Sequence, residues 1–320
     1  MARNLTTYYE TYPAMGSTIK ICLTASMSEM EANKLLRLLK RTILRFEKRC
    51  SRFLPSSELS RFNQKAGTKQ GVSPEFLKVV SKARDIGLRT DGLYNPFILP
   101  VLQRVGYLHS IVNTYVNDTT IDYSDRALTP VTDLEIGDGW ARIPYGTAID
   151  LGGCGKGYIG DELADIVDTY DEVEGYWLSM GGDVVVRGIH ENGQPIAIGI
   201  VDEQRGGIIG RVEPKRGERY AVATSTILKR QGIKNGKAWH HIIDPRIAQP
   251  AETNLHTVTI CTSSLFEADV HATNCIIVGL DGVSKYLKRH RISDALLQPR
   301  DDSIVHFGDR ITRQVDKAVN

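Results

Sequence analysis

Apolar residues near the start of the chain recur with strand spacing and then with helix spacing. Alternation at Ile19, Ile21 and Leu23 predicts an early strand. Ser28 and Glu31 form a capping-box pattern, which predicts that a long amphipathic helix begins there. The apolar face of this helix is predicted to contain Ala32, Leu35, Leu36, Leu39, Ile43 and Phe46.

Two further helices are predicted from their N-terminal signals. Ser73, with Pro74 at the first helical position, begins one that is expected to stop around Gly92. Ser263 and Ser264 can cap the other. Its apolar side is predicted to contain Ala268, Ala272, Cys275 and Ile276.

The second half of the chain is rich in short apolar runs separated by glycines. The runs WLSM, DVVVRG, IAIGIV and IIGRV, between residues 177 and 212, predict a meander of hairpins. ALLQ and SIVHFG predict two more strands around the turn PRDD, followed by a polar tail over about 309–320. Strands and helices in this arrangement predict an α+β fold, with mixed or antiparallel sheets and helices packed on them.

Length and composition narrow the class of protein. With 320 residues, the chain can form one domain over 1–320 or two intimate α+β subdomains. A net charge of +2 gives no reason to expect nucleic acid as a partner. Five scattered cysteines without a CxxC pair predict reduced thiols and no zinc site. Because no apolar run reaches the length of a signal peptide or a membrane span, we expect a cytoplasmic protein without membrane insertion.

The segment AIDLGGCGKGYIGDELADIV, residues 148–167, has the composition of a ligand-binding loop. Its apolar start at 148–151 predicts a buried strand, and its end predicts an amphipathic helix with Asp161 and Glu162 in the first turn. The glycines would then lie at a strand-to-helix turn. Their spacing matches neither a Walker loop nor the dinucleotide fingerprint.

The glycines and the lysine of this loop suit an anion. Four glycines can adopt positive φ and let a ligand approach the backbone, namely Gly152, Gly153, Gly155 and Gly157. Lys156 adds a point charge. Considered alone, the segment is equally typical of a tight turn with a solvated lysine.

Two oxygen-bearing residues of the last helix suggest a metal site. Asp269 and Thr273 are four residues apart and therefore share a helix face. Carboxylate and hydroxyl oxygens are hard ligands of the type that Mg²⁺ prefers. The alternative is that Asp269 complements the helix N-terminus and Thr273 bonds back to the preceding turn.

The segment AWHHIIDPRIAQP contains two adjacent histidines. A strand ending at Asp244 would point His240 and His241 to opposite faces, so at most one faces a cleft. His241 is the candidate general base or acid, and His240 suits a half-buried edge position. The hydroxyls of the preceding AVATST run, residues 221–226, are typical of a turn.

Ten short motifs, which include the segments described above, occur along the chain in an order that resembles one family. The motifs are AMGS (14–17), SRF (51–53), ELSRFN (58–63), TDGLYNP (90–96), VGY (105–107), IDLGGCGKGYIGDELA (149–164), MGGDVVVRG (180–188), ATS (223–225), HHIIDP (240–245) and EADVHAT (267–273). Together they resemble the FAD:protein FMN transferase family, known as ApbE. The resemblance extends from about Tyr12 to about Gly308.

The resemblance implies a magnesium-dependent transferase that cleaves the pyrophosphate of FAD, releases AMP and attaches FMN to a threonine or serine of an acceptor protein. It implies that Asp269, Thr273 and a carbonyl near Gly152 bind the metal. It also implies that His241 helps to activate the acceptor hydroxyl and that Asp161 lies near the adenine. The residues that would line the FAD site are Met15, Phe53, Gly92, Leu93, Tyr94, Lys156, Ile159 and Ile243. Lys156 would also stabilise the charge that develops on the phosphate oxygens.

The chain departs from the family pattern at several positions. Family members often read G-A-F-D where this chain has residues 92–95, so that Asn95 replaces a carboxylate. The other departures are Cys154-Gly155, Thr226 and Ile247-Ala248. Two alternative functions are a metal-dependent FAD pyrophosphatase that yields FMN and AMP, and a flavin-binding protein that leaves FAD intact. Self-flavinylation is not expected, because the chain has no segment like the family's acceptor stretch.

Overall fold

The computed structural model describes residues 4–108, 128–234 and 236–313. The chain folds into two compact units. The first unit consists of Met1–Leu44, Lys156–Ser225 and Asn254–Asn320, and the second of Arg45–Gly155 and Thr226–Thr253.

Among the described residues, runs of strands are separated by helices, and the strand pairs are antiparallel, which is typical of an α+β fold. The helices are α1 (Glu29–Cys50), α2 (Glu58–Gln64), α3 (Pro74–Arg89), α4 (Leu99–Val105), α5 (Gly155–Val167) and α6 (Leu265–Arg289), with 3₁₀ turns at Pro96–Ile98 and Val131–Asp133. The strands are β1 (Thr6–Ala14), β2 (Ser17–Ala25), β3 (Gln70–Gly71), β4 (Glu135–Gly137), β5 (Trp140–Arg142), β6 (Val173–Met180), β7 (Asp183–Gly188), β8 (Ile198–Val201), β9 (Ile208–Val212), β10 (Arg219–Thr226), β11 (Gln231–Lys234), β12 (Lys237–His240), β13 (Ile243–Asp244), β14 (Gln249–Pro250), β15 (Leu255–Thr262), β16 (Asp294–Pro299), β17 (Val305–Phe307) and β18 (Ile311–Arg313).

The first unit is built on an eight-stranded sheet in the order β1-β2-β6-β7-β10-β15-β16-β17. Neighbours from β1 to β10 pair antiparallel, as do β15, β16 and β17. Helix α6 packs against β15. The hairpins predicted between residues 177 and 212 are confirmed, since β6 pairs with β7 and β8 pairs with β9. They do not form one sheet, because β8 and β9 form a second sheet with β18.

The polar tail that was predicted at the C-terminus is partly wrong. Ile311–Arg313, inside the predicted polar tail, forms β18 and pairs with β9. The side chain of Ile311 is fully buried against Val212 and Leu296 in one apolar cluster. The tail prediction therefore does not hold for these three residues, and its last part, 314–320, lies outside the described residues.

Local capping explains where the early helices begin. The Ser28 N–H donates to a carboxylate oxygen of Glu31 at 2.9 Å, and the Glu31 N–H donates back to the Ser28 hydroxyl at 3.3 Å, which confirms the capping box. Ser73 caps α3 by accepting from the Phe76 N–H, with Pro74 at the first helical position as predicted. Helix α3 ends at Arg89, slightly before the predicted stop.

The second unit carries α2, α3, α4 and three small antiparallel sheets. These sheets are β3-β5-β4, β11-β12 and β13-β14. Among the described residues of both units, no helix is apolar enough over a sufficient length to cross a membrane.

Candidate active site

Two hairpin tips lie side by side at one end of the large sheet in the first unit. Met15 and Gly16 connect β1 to β2, and both have positive φ, as a two-residue hairpin turn prefers. Gly181 and Gly182 connect β6 to β7 in the same way, and the Gly181 N–H donates to the Thr18 carbonyl at 3.1 Å. A methionine with φ 56° is unusual, and such outliers often occur at functional sites.

Lys156 pairs with a carboxylate from the second of these hairpins. Its Nζ contacts Asp183 Oδ2, with the side chains 19% and 4% exposed. The other Asp183 oxygen accepts from the Thr224 N–H at 3.0 Å. The ammonium group is therefore held next to the hairpin tip, so that the interpretation as a merely solvated lysine is wrong.

Asp269 and Thr273 occupy one face of the first half of α6. Asp269 is 6% exposed, and its Oδ2 accepts from the Gly157 N–H of α5 at 3.2 Å. The Thr273 hydroxyl lies 2.8 Å from that of Ser225 on β10. Helix α6 is capped by Ser264 rather than by Asp269. The structure therefore brings three oxygen-bearing side chains together along this face.

Asp161 supplies a second cap for α6. One of its carboxylate oxygens accepts from the Leu265 N–H at 2.7 Å, and the other accepts from the Ser264 hydroxyl at 2.6 Å and the Phe266 N–H at 3.1 Å. Burial raises the pKa of this carboxyl above its ordinary value, although these hydrogen bonds oppose the shift. The predicted position in the first turn of its own helix is wrong, because α5 already begins at Gly155.

The glycines at the start of α5 serve close packing. A Cβ atom at Gly157 would lie 2.5 Å from the Leu265 carbonyl oxygen, and one at Gly160 would lie 2.5 Å from the Leu265 side chain. Only glycine therefore lets α5 approach the start of α6. The prediction of positive φ is wrong for the loop, since none of Gly152, Gly153, Gly155 and Gly157 has it.

In the second unit, residues 148–151 do not form the predicted strand. The Asn63 side chain replaces a partner strand, because it donates to the Ile149 carbonyl and accepts from the Ile149 N–H, both at 2.9 Å. Asp150 then accepts from the Gly152 N–H at 2.6 Å. Gly152 itself is exposed.

The predicted FAD loop at residues 92–95 contacts the glycine loop in this unit. Gly92 has φ 78° and donates to the Gly87 carbonyl at 2.8 Å, and Leu93 is half-buried. The Tyr94 hydroxyl donates to Cys154 Sγ at 3.0 Å. Two of the departures from the family pattern therefore contact each other.

Asn95 is buried with both ends of its amide engaged. Its Oδ1 accepts from the Phe97 N–H and its Nδ2 donates to the Thr129 carbonyl, both at 2.9 Å. We expect Asn95→Asp to lower the free energy of unfolding at pH 7 by about 1–3 kcal/mol, because a carboxylate cannot donate to Thr129. FAD affinity should change more than the magnesium requirement.

Chemical denaturation and calorimetry at pH 7 measure these effects. Asn192→Asp is the matched control, since Asn192 is exposed and its Oδ1 accepts a local N–H from Gln194. Equal stability of Asn95→Asp and the wild type would contradict the role of the Thr129 bond.

The histidine segment is not a continuous strand. Strand β12 ends at His240, and β13 begins at Ile243. His240 Nε2 lies 3.1 Å from the Ala251 carbonyl oxygen, whereas the His241 and Tyr107 rings form a T-shaped contact with 6.2 Å between their centroids. Ile243 is buried with Tyr107, and Phe53 packs against the same cluster.

The candidate residues thus fall into two sets. The first unit holds Met15, Lys156, Ile159, Asp161, Asp269 and Thr273, and the second holds Phe53, Gly92, Leu93, Tyr94, Gly152, His241 and Ile243. Within the described part of the chain, no three His, Cys, Asp or Glu side chains are grouped as metal ligands.

Three residues that contact the candidate site or its loops were not predicted as candidates from the sequence. Asp183 holds Lys156, Ser225 contacts Thr273, and Arg52 pairs with Asp150. All three lie inside the short motifs MGGDVVVRG, ATS and SRF, but their partners are distant in sequence.

Known proteins with similar sequences and folds identify the family. The ApbE family model matches residues 15–297. The FAD:protein FMN transferases of Vibrio cholerae and Klebsiella pneumoniae are 26% and 27% identical, over 92% and 91% of this chain and 88% and 89% of theirs.

Solved structures support the same conclusion at the level of the fold. The flavinyl transferase ApbE of Pseudomonas stutzeri has a TM-score of 0.79 at 22% identity, covering 97% of this chain and 95% of its own. The ApbE protein of Thermotoga maritima has a TM-score of 0.80 at 22% identity, covering 94% and 97%. Since the family model matches most of the chain and the fold agrees, this protein belongs to the ApbE family and is an enzyme.

Proposed function

We propose that this enzyme transfers FMN from FAD to a threonine or serine hydroxyl of an acceptor protein, with Mg²⁺ as cofactor. The acceptor oxygen attacks the phosphorus of the FMN half, the bond to the bridging pyrophosphate oxygen breaks, and AMP leaves. The proton of the acceptor hydroxyl passes to His241. We place this reaction in the cytoplasm, with neither nucleic acid nor membrane insertion involved.

The observation that carries this proposal is the face of α6 that is lined by oxygen-bearing side chains. The chain is also related, over nine-tenths of its length, to proteins named FAD:protein FMN transferase. Asp269 presents a buried carboxylate there, and Ser225 holds the hydroxyl of Thr273. Such hard oxygen donors fit Mg²⁺, which takes few protein ligands when it also binds phosphates.

We propose Asp269, Thr273 and the Gly152 carbonyl as the residues that hold the metal. When bound, Mg²⁺ supplies positive charge against the phosphate oxygens. The hydrogen bond from the Gly157 N–H orients the Asp269 carboxylate, and Ser225 orients the Thr273 hydroxyl. The protein therefore fixes its ligands before the metal arrives.

Lys156 is proposed to stabilise the negative charge that moves onto the phosphate oxygens. Asp183 keeps the ammonium in place, so that little conformational entropy is lost when a phosphate binds. The proposed FAD-lining residues are Met15, Phe53, Gly92, Leu93, Tyr94, Lys156, Ile159 and Ile243. We propose that Asp161 acts near the adenine by holding the start of α6.

His241 is proposed to accept the proton of the acceptor hydroxyl. A threonine hydroxyl is a weak nucleophile at neutral pH, so a nearby neutral imidazole accelerates its attack. The Tyr107 ring, which contacts His241 edge-on, limits the orientations of the imidazole. Burial raises the pKa of Tyr107, so that this phenol stays neutral beside His241.

The two alternatives differ in product. A pyrophosphatase would release FMN and AMP without an acceptor, and a flavin-binding protein would leave FAD intact. We favour transfer because the relatives over most of the chain are named as protein FMN transferases.

The test is product analysis with an acceptor protein of the family, combined with calorimetric titration of FAD, FMN and riboflavin. We expect AMP release with covalent FMN on the acceptor, and tighter binding of FAD than of FMN or riboflavin, because only FAD carries the adenosine half. Free FMN as the sole flavin product would favour the pyrophosphatase. Equal affinity for FAD and FMN would contradict the proposed site.

A further inference from the structure

We propose that Arg52 is a positioning residue that links the glycine loop at Gly152 to the ring of His241, an assignment that rests on the proposed function. Arg52 Nε lies 2.7 Å from Asp150 Oδ2, and the two side chains are 7% and 6% exposed. Both residues belong to the second unit. The ion pair is therefore largely buried.

The Asp150 carboxylate of this ion pair holds the backbone at the start of the glycine loop. The second oxygen of Asp150 accepts from the Gly152 N–H at 2.6 Å, and the Asp150 N–H donates to the Pro96 carbonyl at 2.8 Å. A Cβ atom at Gly152 would lie 2.7 Å from the same Asp150 oxygen. The carboxylate thus fixes the backbone at the residue whose carbonyl we propose as a metal ligand.

The guanidinium of the ion pair is fixed against aromatic residues. Its Nη2 donates to the Tyr107 carbonyl at 3.1 Å. Its central carbon lies 4.1 Å from the ring centroid of Phe53 and 4.6 Å from that of Tyr107. Because the Tyr107 ring in turn contacts His241, Arg52 connects the glycine loop to the proposed base through one intervening ring.

Arginine is the residue that this position requires. Its planar fork donates to a carboxylate and a carbonyl in different directions, while its face stacks on a ring. A lysine can supply the charge but not these fixed directions. Stability alone does not account for the pair, since buried ion pairs contribute little net stability relative to apolar residues.

The test compares Arg52→Lys with the wild type, using Mg²⁺ and FAD as the probes. We expect the Kd for Mg²⁺, measured by calorimetry with FAD present, to rise about tenfold or more. The kcat of transfer should fall about 10–100-fold, with a smaller change in the KM for FAD. Arg142→Lys is the matched control, because the Arg142–Glu135 pair of the same unit is exposed, and its parameters should equal those of the wild type.

A second variant keeps the test decisive if Arg52→Lys does not fold. Arg52→Met combined with Asp150→Asn removes both buried charges and leaves an oxygen that can accept from Gly152, so we expect it to fold and to show the same loss of kcat. Wild-type values of kcat and of the Kd for Mg²⁺ in the folded variants would overturn the assignment of Arg52. A wild-type enzyme that releases no AMP from FAD would instead overturn the proposed function.

Discussion

Replacing Asp269 by alanine should lower AMP release from FAD about a hundredfold or more while the protein stays folded. The reason for the loss of activity is the removal of a main electrostatic stabiliser of the reaction. The carboxylate also accepts a hydrogen bond from the Gly157 N–H, so we expect its loss to cost about 1–3 kcal/mol of stability. AMP release as a function of Mg²⁺ concentration, together with a thermal melt, measures both effects.

Excess Mg²⁺ should restore part of the activity, because Thr273 remains as a ligand. Thr273→Val should show a milder form of the same defect, since it removes one oxygen at nearly constant shape. Asp281→Ala provides the control, because it deletes an exposed carboxylate in the second half of the same helix. Unchanged activity of Asp269→Ala at limiting Mg²⁺ would remove the proposed metal site.

Replacing His241 by alanine should lower FMN transfer to the acceptor about 10²–10⁴-fold, the usual contribution of a general base. FAD affinity should change little, because the proposed role of His241 concerns the acceptor hydroxyl. The melting temperature should fall only slightly, since the lost ring contact with Tyr107 is worth about 0.5–1.5 kcal/mol.

Single-turnover measurement of covalent FMN, with calorimetry for FAD, separates these effects. His306→Ala serves as the control, because His306 is an exposed histidine on β17. Transfer by His241→Ala at the wild-type rate would show that another group accepts the proton.

Features that depend on neighbouring residues were predictable. The Ser28–Glu31 capping box, the proline at the start of α3 and the Gly181-Gly182 hairpin all act within a few residues, so their patterns indicate the structure directly. The ordered motifs also predicted the family, which the match over 15–297 confirms.

Prediction from local sequence patterns failed where a residue that is distant in sequence forms the backbone hydrogen bonds of a segment. Residues 148–151 have the composition of a strand, but Asn63, 86 positions away from Ile149, occupies the hydrogen-bonding groups that a neighbouring strand would use. In the same way, Gly157 is required by the approach of Leu265, and no sequence window around the loop contains that residue.

The sequence by itself indicated most of the helices and strands, the α+β class and the residue types of the candidate site, because periodicity, caps and residue types are properties of short segments. Only the tertiary structure decided how each group is held. It paired Lys156 with Asp183, placed Ser225 against Thr273, and used Asp161 to begin α6. These partners are separated by 27, 48 and 104 residues, and distance in sequence carries no information about which polar groups meet when the chain folds.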